Sequence, residues 1–183
     1  MTRSKLDKLI SSTGLVVAAV LLLVAGAMWW AQDFIHSQVA DQLSAQRITF
    51  PAAGSEQLNA LSDEDKDAVD DYAGQALTTG AQAKVYADNY IGAHLQNIGG
   101  GKTYAELSTA SMANPTDQAL AGKVQTVFKG ETLRGLLLNA YAFDTMATVA
   151  RFASIVAVAG AALLVALSLL GFRHAGAAKS KRR

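Results

Sequence analysis

RFASIVAVAGAALLVALSLLGFR, residues 151–173, is the stretch whose reading decides the fold. Between its two arginines nothing is charged, and the apolar run from Phe152 to Phe172 is unbroken by proline. At about 1.5 Å per helical residue, Ala153 to Phe172 covers about 30 Å, the thickness of a bilayer's hydrocarbon core. A second run, LVVAAVLLLVAGAMWWA at 15–31, lies near the other end. The pattern predicts an all-helical membrane protein with two transmembrane helices flanking a polar middle. The predicted divisions are a basic tail at 1–14, a first span at 15–31, an acidic helical domain at 32–150, a second span at 151–172 and a basic tail at 173–183.

Charge sets the expected orientation. The middle, 32–150, carries 14 acidic and 7 basic residues, whereas the tail after Phe172 has Arg173, Lys179, Lys181, Arg182 and Arg183 with no acid. Basic residues beside short membrane segments stay on the cytoplasmic side, so both termini are expected inside and the domain outside the plasma membrane. The tails suit anionic lipid headgroups rather than nucleic acid. With no cysteine in the chain, disulfides and thiolate metal sites are excluded. The basic start, the apolar run and Ala25-Gly26-Ala27 also fit a signal peptide, whose removal would leave one span. Because the run continues through Met28, Trp29 and Trp30, and paired tryptophans suit a membrane interface, an uncleaved helix is the favoured reading.

Moving along the middle, Ile35, Val39 and Leu43 extend the first helix, which is expected to stop near Thr49 because Pro51 disfavours a helical Phe50. Phe50 is expected to plug the turn back onto the domain. Ser62 is an expected N-cap for the acidic run SDEDKDAVDD. Asp63, Asp65 and Asp67 match the start of a calcium loop, but Ala68 and Gly74 stand where such a loop needs glycine and glutamate. One helix is predicted over Gln75–Ile98, closed by Gly99, Gly100 and Gly101. GGGKT lacks the opening glycine and preceding strand of a phosphate loop, and is read as a cap with Thr103 and Glu106 as a capping box. Thr116 or Asp117 is expected to cap the next helix, with Leu120, Val124 and Phe128 facing one way.

Two features are candidates for function. Ala150, Ala153, Ala157, Gly160 and Ala161, with Ser154 beside them, form a small-residue stripe for close helix packing, either against Ala18, Ala19, Ala25 and Gly26 or against another copy. GETLRGLLLNAYAF, from Gly130, either docks its leucines on the helix of Ile35, Val39 and Leu43 or offers a partner surface of Glu131, Arg134, Leu136, Leu137 and Tyr141.

No catalytic, cofactor-binding or metal-ligating residue is assigned, and no cofactor is expected. His174 falls on the opposite side of the membrane from His36 and His94. Two histidines with Glu56, Glu106 or Glu131 would be the makings of an iron triad, but their spacing does not point to one. GxSxG is absent.

The segments QVADQLSAQRITFPAAGS, AKVYADNYIGAHLQNIGGGKTYAE, VQTVFKGETLRGLLLNAYAF and LLGFRHA resemble a family of small two-span membrane proteins from actinobacteria, whose members are often described as aromatic ring-opening dioxygenases. The resemblance implies the two-span architecture and supplies no catalytic residues. The expected role is a membrane-anchored structural or interaction protein, an accessory subunit or homo-oligomer whose partners are the bilayer and itself or another membrane protein. An oligomeric channel or transport component is the alternative, and a metal-dependent dioxygenase the third.

Overall fold

The computed structural model describes residues 3–180, with side chains as far as Ala177. Lys181, Arg182 and Arg183 of the basic tail, and the side chain of Lys179, lie outside the described residues. Among these, every named element is helical: α1 (Arg3–Ala45), α2 (Glu56–Asn59), α3 (Asp63–Asp70), α4 (Gly80–Val85), a π-helical segment (Tyr86–Ile91), α5 (Gly92–Gly99), α6 (Tyr104–Ala113) and α7 (Gln118–Ser180). Two of them, α1 and α7, are long and apolar enough to cross a membrane. The chain divides into two compact units, one of residues up to Phe34 with those from Met146 onward, the other of Ile35–Thr145.

In the two-helix unit the buried positions recur every seventh residue: Ser11, Ala18, Ala25 and Gln32 on α1, and Ala147, Ser154, Ala161, Ser168 and Ala175 on α7. A strict seven-residue repeat keeps a seam facing its partner only if the helices wind left-handedly about each other. Nearly every seam residue is small, so the backbones come close. A Cβ placed on Gly14 would overlap Ser168, and one on Gly171 would overlap Ser11. Ser4 Oγ donates to the Ala175 carbonyl at 3.1 Å. Stepping three residues along α1, from Ser11 to Gly14, is matched by stepping three back along α7, from Gly171 to Ser168, as antiparallel pairing requires. Large side chains such as Leu23 and Val156 point away from the seam and are exposed.

The second unit is held differently. Val39, Leu43, Phe50, Leu58, Val69, Leu77, Ile91, Leu95 and Leu137 form one buried apolar cluster, with Ile35 packed against it. Phe50 is the plug expected from the sequence: its ring lies 5.4 Å from that of Tyr72 and 5.1 Å, edge-on, from that of Tyr86. Burying such side chains stabilises by about 1.5–3 kcal/mol each.

Four expectations need correction. Helix α1 ends at Ala45 rather than near Thr49, through a turn in which Arg47 adopts a left-handed φ of 53°. The chain must become extended there, because Ile48 O accepts from Leu77 N at 2.9 Å and Phe50 N donates to Gln75 O at 2.9 Å. That pairing also occupies Gln75 to Leu77, so the helix predicted from Gln75 begins only at Gly80, where Thr79 and Gln82 form a capping box. It is not regular either, since Tyr86–Ile91 widens into a π turn. Finally, Val127 is buried and Phe128 exposed, so Val127 takes the inward place expected of Phe128. The other caps form as read: Ser62 Oγ accepts from Asp65 N, Thr103 and Glu106 make a capping box, Gly100 closes α5 in a left-handed conformation, and Asp117 rather than Thr116 caps α7.

Candidate functional site

Arg134 ties α7 to the π-helical segment of the helical unit. Its Nε donates to the Ala87 carbonyl at 3.0 Å, its Nη1 to Glu131 at 3.0 Å and its Nη2 to Asp88 at 3.2 Å. Asp88 also receives Lys84 Nζ at 2.7 Å. The π segment explains why this arrangement exists. Gly92 N reaches back five residues to Ala87 O, and the widened turn lets that carbonyl take the guanidinium as well. A Cβ at Gly92 would sit in ordinary contact with Ala87 O and the Arg134 guanidinium, so the guanidinium lies directly against this turn. Gly130 likewise lets α7 approach Leu95, which a Cβ would overlap. Burial pushes the Asp88 carboxyl up, but the hydrogen bonds and charges of Lys84 and Arg134 outweigh it and hold it below its ordinary value. Lys84 is raised in turn by its bond to Asp88.

The residues proposed from sequence as a partner surface therefore divide. Leu136 is 58% exposed and Glu131 is exposed. Arg134 and Tyr141 are half-buried; Lys84 Nζ sits 5.7 Å from the Tyr141 ring centre. Leu137 is the correction: at 0% exposure it belongs to the core with Val39 and Leu43, because the inward face of α7 passes through it. The outward face carries Phe128, Leu136 and Phe143, each more than half exposed, at spacings of eight and seven residues that return to the same side of a helix. Tyr104 of α6 extends this face, its ring 5.5 Å from that of Phe128. The sequence reading missed Tyr104 and Phe143, although the spacing of 128, 136 and 143 was there to be found.

In the two-helix unit Ala161 lies buried on the seam, while Ala150, Ala153, Ala157 and Gly160 are half-buried. Of the α1 positions paired with them in the reading, Ala18 and Ala25 are buried and Ala19 and Gly26 exposed. Ser11, Gly14, Ser168 and Gly171, the closest approaches, were missed because the stripe was followed by alanine content rather than by its period of seven.

His36 Nδ1 lies 2.7 Å from Asp144, and His94 Nδ1 lies 2.8 Å from the Tyr90 carbonyl. Asp65, from the run that resembled a calcium loop, bonds to the Ser62 hydroxyl and to Asn89. Among the described residues no three histidine or acidic side chains are grouped so as to hold a metal ion.

Comparison with known proteins gives no match: no family model fits the chain, and no curated protein or solved structure is similar to it. The resemblance to the actinobacterial family rests on its four sequence segments alone.

Proposed function

We propose that this chain is a membrane-anchored interaction protein: α1 and α7 cross the plasma membrane, both termini lie in the cytoplasm, and the helical unit outside binds either further copies of itself or another membrane protein as its accessory subunit. The observation that carries this reading is the outward face of Tyr104, Phe128, Leu136 and Phe143. Four large apolar side chains left exposed, three along one side of α7 and one beside Phe128 on α6, are unfavourable in water and become favourable once a partner covers them. Charged Lys129 and Glu131 flank the face, as a polar rim flanks an apolar interface. The short positive tails support the orientation.

The mass of the native particle in mild detergent tests the reading. A fixed multiple of the chain, or a stoichiometric foreign protein, is expected for the parent, and Phe128→Ser with Leu136→Ser should release it. A parent that is monomeric with nothing bound overturns the proposal. Orientation is tested separately. The chain has no cysteine, so one introduced at exposed Ser44 should react with an impermeant thiol reagent added to intact cells, and one at exposed Ser12 should not.

A further inference from the structure

On one side of the two-helix unit, Leu22, Ala25, Gly26, Trp29, Ser154, Ile155 and Val158 enclose an apolar groove of about 400 Å³. Its floor is low because Ala25, Gly26 and Ser154 have little side chain, and a Cβ on Gly26 would meet nothing within 4 Å. The Ser154 hydroxyl is not available to a polar ligand, since it donates to the Arg151 carbonyl at 2.7 Å. At the same end, the Arg151 guanidinium lies 5.9 Å from the centre of the Trp29 ring that walls the groove. Among the described residues no carboxylate lies within ion-pair distance of it. An apolar slot thus ends beside a cation whose five donors lack an anionic partner, at the level where tryptophan marks a membrane interface.

Resting on the reading that these helices span a bilayer, we infer that the groove seats an acyl chain of an anionic phospholipid whose phosphate is bound by Arg151. Guanidinium and phosphate match in charge and in bidentate geometry, and a cation stacked on an indole is already oriented. A zwitterionic lipid fits the slot equally well but brings its own ammonium to the phosphate.

Trp29 is the built-in reporter. In a Trp30→Phe background it is the sole tryptophan, and its emission in vesicles can be quenched by lipids brominated on the acyl chain. Phosphatidylglycerol so labelled should quench with an apparent affinity about fivefold above that of phosphatidylcholine with the same chains, the preference one basic residue supplies beside an anion. Arg151→Gln should abolish the preference and Arg151→Lys retain part of it. Gly26→Leu, whose Cβ would meet nothing within 4 Å, should reduce saturable quenching by both lipids with the helical signal unchanged. Equal quenching by the two lipids in the parent, or a preference that survives Arg151→Gln, overturns the inference. Saturable quenching unaffected by Gly26→Leu also overturns it, because the lipid is then held by its headgroup alone. Absence of quenching by either lipid, with the protein not retained in vesicles, removes the membrane reading itself. Absence of quenching with the protein retained overturns the inference, because no acyl chain then reaches Trp29.

Discussion

The two units of this chain reach stability by opposite choices of side chain. Along the seam of α1 and α7 lie serine, alanine and glycine, and the large apolar residues face outward; in the helical unit leucine, phenylalanine and tyrosine face inward. The contrast is what the proposed placement of the two long helices in a bilayer would produce. Lipid tails are as apolar as leucine, so burying leucine between two spans gains little and close backbone contact gains more. In water the same leucine is worth burying. Position in the chain does not decide which rule applies, since α7 obeys one over Gln118–Thr145 and the other from Met146 onward.

The strongest way to break the comparison is Phe50→Ala. It should destabilise the helical unit by about 3–5 kcal/mol, the usual cost of deleting a buried aromatic side chain. The effect can be read selectively, because all five tyrosines lie in that unit and both tryptophans in the other. Tyrosine near-UV dichroism should be lost at lower temperature while tryptophan emission keeps its position. Gly171→Leu is the converse, forcing a side chain into Ser11. It should cost roughly 1–3 kcal/mol, move the tryptophan signal and leave the tyrosine signal in place.

Arg134→Met tests whether polar ties add to apolar packing in the helical unit. Losing bonds to Ala87, Asp88 and Glu131 should cost about 2 kcal/mol, and Arg134→Lys should not restore it because an ammonium lacks the planar fork. Asp88 adds a pH dependence. Its carboxyl titrates below its ordinary 3.8, so the stability it contributes is complete above that value and disappears as pH falls through the lower folded-state value. Acid melting of the tyrosine signal should therefore begin below about pH 4 and flatten in Asp88→Asn. The smallest expected effect is a gain. Gly135 lies exposed in α7 with open space around it, and Gly135→Ala should stabilise the helix by about 0.5–1 kcal/mol.

Much of this was legible in the residues, and the parts that were not share a cause. The two long apolar helices, the caps and the Phe50 plug depend on neighbours in sequence: the length of an apolar run, a serine three residues before an amide, a proline one residue on. The early end of α1, the late start of α4 and the π turn depend on partners far along the chain. Ile48 bonds to Leu77, and Ala87 to Arg134, and no local pattern announces either. The surface reading failed at Leu137 for a related reason: one step along a helix turns a residue by about 100°, so Leu136 and Leu137 face apart. The groove beside Trp29 combines both kinds of signal, Arg151 being visible in the sequence and its indole contact only in space.

A seam that repeats every seven residues resembles a rail with evenly spaced notches, and a rail by itself does not say where a carriage should stop. Sliding α7 by one repeat would exchange serine and alanine along its seam, small for small, so the repeat alone leaves the alignment of the two helices degenerate. The Gly14–Ser168 and Ser11–Gly171 approaches act as the stop, since after such a slide Ser168 would meet the much larger Leu21. The alignment of the two long helices is thus fixed by two serines and two glycines, among the smallest residues on them.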